Sequence, residues 1–171
     1  MHSISSSPEG TTMSDANSEA LALIEAHFNT LEIGSSVEFD SVFSAGQIKD
    51  YANENNLDWP GQYVDQNGQS LVIPGMIFFR PAVGFGLGDP NPPLTRAGFF
   101  TRTSRAFSQP IRVNEAVHFR GQISDKYLRR GYYYIVVDWT ATRSDGAIAA
   151  TGREWHTLGW ARYPKTHPKG M

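Results

Sequence analysis

Leu71–Asp89 reads LVIPGMIFFRPAVGFGLGD, the most apolar long run of the chain, with Arg80 as the only charge before the closing Asp89. Proline is tolerated at the first position of a helix, where its missing N–H has no intrahelical partner. With Pro74 at that position, a helix over about 74–87 is expected, and Gly75, Met76 and Ile77 would carry backbone N–H groups without partners. Glycine lets a ligand approach such a backbone closely. The run therefore reads either as a buried helix whose first turn offers donors to a carbonyl oxygen or oxyanion, or as a core helix with a proline start. Pro81 lies inside it, where proline kinks a helix, and Gly84, Gly86 and Gly88 thin out its far end.

Outward from this run, the composition bounds the class. With 171 residues, 40% hydrophobic and 12% aromatic, the chain is long enough to bury one real core. A net charge of −2 gives no reason to expect nucleic acid or an anionic membrane as partner. The absence of cysteine excludes disulfides, thiolate catalysis and Cys-ligated zinc. The N-terminus has no charged segment followed by an apolar one, and no run reaches membrane-spanning length, so a cytoplasmic protein is expected.

Residues 1–14 are Ser/Thr/Gly-rich and expected to be flexible, 15–163 to form a single domain, and 164–171 to be a frayed tail. Leu21, Ile24, His27, Phe28 and Leu31 recur at helical spacing, predicting an amphipathic helix over 16–30. Val37–Phe43 alternates as a strand. Ser44 and Gln47 have capping-box spacing, so a helix over about 45–55 follows, with Ile48, Tyr51, Ala52 and Asn55 on one face. Asn55–Gln69 is a long polar loop and, by its length, a functional candidate. From Arg96 onward the chain reads as about four antiparallel strands. Val117, Phe119 and Ile123 face one side, and Tyr133, Ile135, Val137 and Trp139 share another face. Short turns at Arg129-Arg130-Gly131 and Ser144-Asp145-Gly146 join them. The class is α+β, with the sheet covering the apolar helix.

The residues Tyr51-Ala52, the loop with Pro60, the Pro74-Gly75-Met76-Ile77 helix start and Phe107-Ser108-Gln109-Pro110 followed by Asn114-Glu115 are similar to the motifs of the MaoC-like hydratase/dehydratase group. That resemblance implies a hot-dog fold, a curved antiparallel sheet wrapped around a central apolar helix. It also implies hydration, dehydration or isomerisation of the double bond next to the carbonyl of an acyl thioester carried by CoA or a carrier protein. In the family, a loop Asp and His hold the water that adds. With Pro60 in register, Leu57 stands at or beside the Asp position, Gln62 at the His position, and Asp58 one residue late. Pro60-Gly-Gln-Tyr63-Val-Asp65 matches a P-x-Y-x-D variant with one extra residue. Pro74 replaces the histidine that often precedes the helix glycine, and Gly75, whose N–H polarises the carbonyl, is kept.

General acid/base work needs a titratable group at a defined point. The loop offers Asp58, Tyr63 and Asp65; a buried Asp58 beside Trp59 would have a raised pKa and serve as base. The alternative is that Asp58 and Asp65 cap turns. Asp58, Tyr63 and Gly75 are thus the catalytic candidates, and Trp59, Gln62, Pro74, Met76 and Arg80 the substrate-binding ones. Arg80 would anchor a carboxylate or carrier phosphate, or else sit in a salt bridge. No His or carboxylate cluster has metal-ligand spacing, and no cofactor is expected. Gly84, Gly86 and Gly88 end a helix, so they are not a nucleotide fingerprint. Residues 75–88 contain no carboxylate, which disfavours a hot-dog thioesterase. Three readings follow: a hydro-lyase, a catalytically degenerate subunit completing a partner's pocket, and a small-molecule cyclase on a cone-shaped barrel. A homodimer, or a hetero-oligomer with another hot-dog chain, is expected because pairing hides a sheet edge.

Overall fold

The computed structural model describes residues 13–78, 85 and 100–158, the side chains of 13–20 and of Phe100 apart. Helix α1 (Met13–Thr30) opens the described chain, followed by strand β1 (Ser36–Val42) and helix α2 (Ala45–Glu54). A 3₁₀ turn (Pro74–Met76) then precedes strands β2 (Phe100–Phe107), β3 (Ala116–Arg129), β4 (Tyr132–Arg143) and β5 (Ile148–Thr157). All five strands form one antiparallel sheet in the order β1-β3-β4-β5-β2.

Each element follows from its residues. The Ser44 hydroxyl accepts from the Gln47 N–H at 3.3 Å and the Gln47 side chain accepts from the Ser44 N–H at 2.9 Å, so the predicted capping box starts α2. Ile48 and Ala52 are its buried face. The β3–β4 turn holds Arg130 and Gly131 at positive φ (52° and 78°), as a two-residue hairpin requires. On β3, Val117, Phe119 and Ile123 point into the core while His118 and Arg120 are exposed, as the alternation predicts. Val136 is buried as well as its neighbours Ile135 and Val137. Trp139 spans the middle of this face, paired across β4 with Gly121 on one side and Gly152 on the other.

Helix α1 rests on the far end of the sheet through Ile24, Leu31 and the Phe28–Tyr133 ring contact at 4.9 Å. Leu21, expected on the buried face, is 39% exposed; the described side chains that pack α1 down begin at Ile24. There Lys126 donates to the carbonyls of Phe28 (3.1 Å) and Leu31 (2.6 Å), placing a cation at the negative end of the helix dipole.

The apolar run differs from its reading at the start. Pro74–Met76 closes as a 3₁₀ turn, with Met76 N–H donating to Ile73 O (2.9 Å) and Ile77 N–H to Pro74 O (3.0 Å). Two of the three donors expected to be free are therefore occupied by i→i+3 bonds. Phe85 is helical and buried. Ile77 and Phe78 are not helical, Ile77 having an extended backbone (φ −86°, ψ 95°), so the expected helix does not run on from the turn; the stretch 79–84 with Arg80 and Pro81, and residues 86 and 87, lie outside the described residues. Of the expected flexible end 1–14, Met13 and Ser14 are helical, as the first residues of α1, and 1–12, like 164–171, lies outside the described residues.

Candidate functional site

A cavity of about 610 Å³ opens between β1, α2 and the segment after the 3₁₀ turn. Its floor is aromatic: Phe39 and Phe119 stack at 5.2 Å, and Phe78 adjoins them. Met76 forms a further wall. The polar groups come from one face of α2, where Gln47, Asp50, Tyr51 and Glu54 follow each other at helical spacing. Gln47 is committed to the capping box, and Asp50 and Glu54 are exposed on the rim. Tyr51 is half-buried.

Gly75 adjoins this wall. A Cβ at Gly75 would stand 2.5 Å from the Tyr51 hydroxyl and 3.4 Å from its Cζ, so the phenol occupies the space that any other side chain would need. The φ of Gly75 is not in the left-handed region, so close approach rather than backbone geometry requires glycine here. The Gly75 N–H has no acceptor among the described residues, and neither does the Tyr51 hydroxyl have a hydrogen-bond partner among them.

The other predicted residues gather in the 55–69 loop and do not line the cavity. Asp58 is exposed, its carboxylate folded over Gly61, where a Cβ would meet Oδ2 at 2.5 Å; its carbonyl accepts from the Gln62 N–H at 3.1 Å. The burial that would make it a base is not present. Trp59 donates its indole N–H to the Leu71 carbonyl at 2.9 Å, which ties the loop to the chain entering the turn. Gln62 and Pro74 are exposed. Tyr63 is half-buried against the core, its backbone bonded to Pro60 and Leu71. Leu57, at the family's Asp position, also packs on the core. Asp65 caps its own turn, accepting from the N–H groups of Asn67 (2.8 Å) and Gln69 (3.0 Å) with Arg112 at 3.4 Å. The Gln69 N–H, above all, holds its carboxyl below the usual range, and Arg112 adds to this. Of the eight site residues predicted, Met76 lines the cavity and Gly75 adjoins it. Arg80 is outside the described residues. Tyr51, Phe39, Phe78 and Phe119 were not singled out as site residues.

Two other polar features lie apart from this cavity. A trough of about 620 Å³ crosses the opposite face of the sheet, but its Arg153 is paired bidentately with Asp138 (2.5 and 2.6 Å) and its Arg120 with Glu38 (3.2 Å). On the core face, Glu154 is fully buried, 3.3 Å from His156 and 3.6 Å from Arg105, away from either cavity's lining.

No family model matches the sequence, and no curated protein does. Solved structures do. An (R)-hydratase from A. caviae involved in PHA biosynthesis superimposes with a TM-score of 0.58 at 18% identity, over 75% of this chain and 98% of that one. This chain has the hot-dog fold. A MaoC-like dehydratase from Rhodospirillum rubrum gives 0.55 at 14% identity, over 77% and 96% of the two chains. The C-terminally truncated HadBC (3R-hydroxyacyl-ACP dehydratase) complex from Mycobacterium tuberculosis gives 0.56 at 12%, over 75% and 98%. The α+β class and the likeness to MaoC-like proteins are as the motifs implied, and the five-stranded hot-dog sheet replaces the cone-shaped barrel on which the cyclase reading depended. Among the described residues, no helix is long and apolar enough to cross a membrane.

Proposed function

We propose that this hot-dog protein is a hydro-lyase acting on the α,β double bond of an acyl thioester or a related carbonyl compound. The observation that carries the reading is the Gly75 N–H, without an acceptor among the described residues, beside an aromatic-floored cavity of about 610 Å³. In this mechanism the carbonyl oxygen accepts from Gly75, and charge developing on that oxygen as the enolate forms meets a donor already in place. Phe39, Phe78, Phe119 and Met76 hold the acyl chain and exclude water from it. Asp58 and Tyr63 stand off the cavity wall and carry no proton in this mechanism.

The test is steady-state turnover of crotonyl-CoA and longer enoyl thioesters, followed by loss of the conjugated chromophore, and of the corresponding 3-hydroxyacyl thioesters in reverse. Turnover that falls in Gly75→Ala supports the reading; no turnover in either direction sinks it for the isolated chain.

A second reading has its own support. Leu57 and Gln62 stand where the family places its acid/base pair, and one structure of similar fold is of a complex. On that reading the chain completes the pocket of another hot-dog protein. β2 is an edge strand, paired only with β5 among the described residues, and Phe107 on it is 47% exposed, which supports pairing there with a second chain. Mass measurement in solution separates the cases. A self-dimer with its own turnover favours the hydro-lyase, and activity only after mixing with a co-purifying hot-dog chain favours the subunit.

A further inference from the structure

The glycine at position 75 poses a question that its backbone does not answer. Its φ suits any residue, yet a Cβ there would collide with the Tyr51 hydroxyl at 2.5 Å. The chain therefore holds a phenolic oxygen against the Gly75 backbone. Tyr51 is set there firmly. Ile48 and Ala52 anchor α2 in the core at 0% and 2% exposure, and the Tyr51 carbonyl accepts from the Asn55 N–H (3.1 Å) and side-chain amide (2.8 Å). Its hydroxyl is nevertheless left without a hydrogen-bond partner among the described residues.

The three atoms nearest the Gly75 Cβ position all belong to Tyr51, and no other polar side chain of this wall is among them. Asp50 and Glu54, when ionised, only accept hydrogen bonds and would repel an oxyanion. Gln47 has its side-chain oxygen held by the Ser44 N–H and hydroxyl at the start of α2, one turn before Tyr51. Tyrosine both donates and has an apolar body that fits an aromatic floor.

We propose that Tyr51 is a catalytic residue: its hydroxyl is a second hydrogen-bond donor to the substrate carbonyl oxygen bound at Gly75. This rests on the hydro-lyase reading above in taking a thioester carbonyl as the acceptor. No bond is made or broken at Tyr51; the phenol keeps its proton and strengthens its hydrogen bond as negative charge gathers on the oxygen.

The test is built to separate this role from the activity. A saturated thioester, butyryl-CoA labelled with ¹³C at the carbonyl, is bound to the full-length protein, and its carbonyl stretch is read by difference infrared spectroscopy in wild type, Tyr51→Phe and Gly75→Ala. The expected result is a stretch moved to lower frequency in wild type and returned toward its solution value in both variants, with Tyr51→Phe folded and as stable as wild type. Where turnover is present, kcat falls roughly 10²–10³-fold in Tyr51→Phe, as for loss of an oxyanion donor, with KM little changed. The shifted stretch without turnover in wild type keeps the Tyr51 role and overturns the hydro-lyase reading. Turnover with a stretch and kcat indifferent to Tyr51→Phe overturns the Tyr51 role and keeps the reading. Failure of wild type to bind the thioester overturns both.

Discussion

Replacing Gly75 by alanine sets two opposed effects against each other, and the structure says how a second substitution separates them. The new methyl would stand 2.5 Å from the Tyr51 hydroxyl, and insertion of a methyl into an occupied space typically costs about 1–3 kcal/mol. Against that, alanine restricts the unfolded chain, a gain of about 0.4–1 kcal/mol where the native φ suits it, as it does here. Gly75→Ala should therefore destabilise, by up to roughly 2.5 kcal/mol net of the two effects. Tyr51→Phe removes the colliding oxygen and leaves Cζ at 3.4 Å, an ordinary contact, while the hydroxyl it deletes has no hydrogen-bond partner among the described residues. The single Phe variant should be within about 0.5 kcal/mol of wild type. In its background Gly75→Ala loses the clash and keeps the entropic gain, so the double variant should match or exceed wild type. Urea unfolding of all four proteins at neutral pH gives the coupling, expected at about 1–3 kcal/mol, equivalent to ~2–12 °C in Tm for a chain of this size. Additivity to within about 0.5 kcal/mol would refute the reasoning, because it would mean that Tyr51 swings clear of the methyl at no cost. If the coupling holds but turnover is lost in the double variant, packing and chemistry at this contact are separable.

Three further outcomes follow from named contacts. Trp59→Phe deletes the 2.9 Å bond to the Leu71 carbonyl and should cost about 1 kcal/mol, seen as a fall of ~2–4 °C in Tm; an unchanged Tm would show that the bond contributes nothing net. Gly152→Ala puts a methyl into the indole of Trp139, which is 3% exposed and has Gly121 on its other flank, so the destabilisation should be at least about 1–3 kcal/mol by urea titration, and a neutral result would contradict the packing. Asp65 has a folded pKa below its ordinary 3.8, with the Gln69 N–H as the leading cause, so its contribution is complete above that value and is lost as pH falls through the lower folded one. Thermal unfolding of wild type and Asp65→Ala should differ by a constant amount from pH 7 to about 5 and converge progressively below; a gap that instead widens on acidification would reverse the sign of this linkage.

The parts of this fold that could be read from the sequence are those with local causes. The Ser44–Gln47 box, the Arg130-Gly131 turn and the alternation of Val117, Phe119 and Ile123 each lie within a few residues, and periodicity or turn chemistry exposes them. The site was legible only in part, for the same reason in reverse. Tyr51 and Gly75 meet across 24 positions, and nothing near either residue announces the contact. On α2, Tyr51 shares a face with Gln47, Asp50 and Glu54, a pattern that reads as a solvated surface until β1 and Phe78 wall it in. The loop was attractive for the opposite reason, since its Asp, Trp and Tyr are residue types that do chemistry. Two of these polar groups instead hold the loop, Asp65 in a turn cap and Trp59 on Leu71, while the exposed Asp58 lies over Gly61. Gly75 connects the two readings. As part of a Pro-Gly pair it looked like a helix start, and the three-residue 3₁₀ turn gives that a smaller meaning. As a position where a Cβ would strike a phenol 24 residues away, it records in a single residue a tertiary contact that no local pattern carries. The test of a functional glycine at a φ open to all residues is therefore what occupies its missing Cβ, and here that is a phenol beside a cavity.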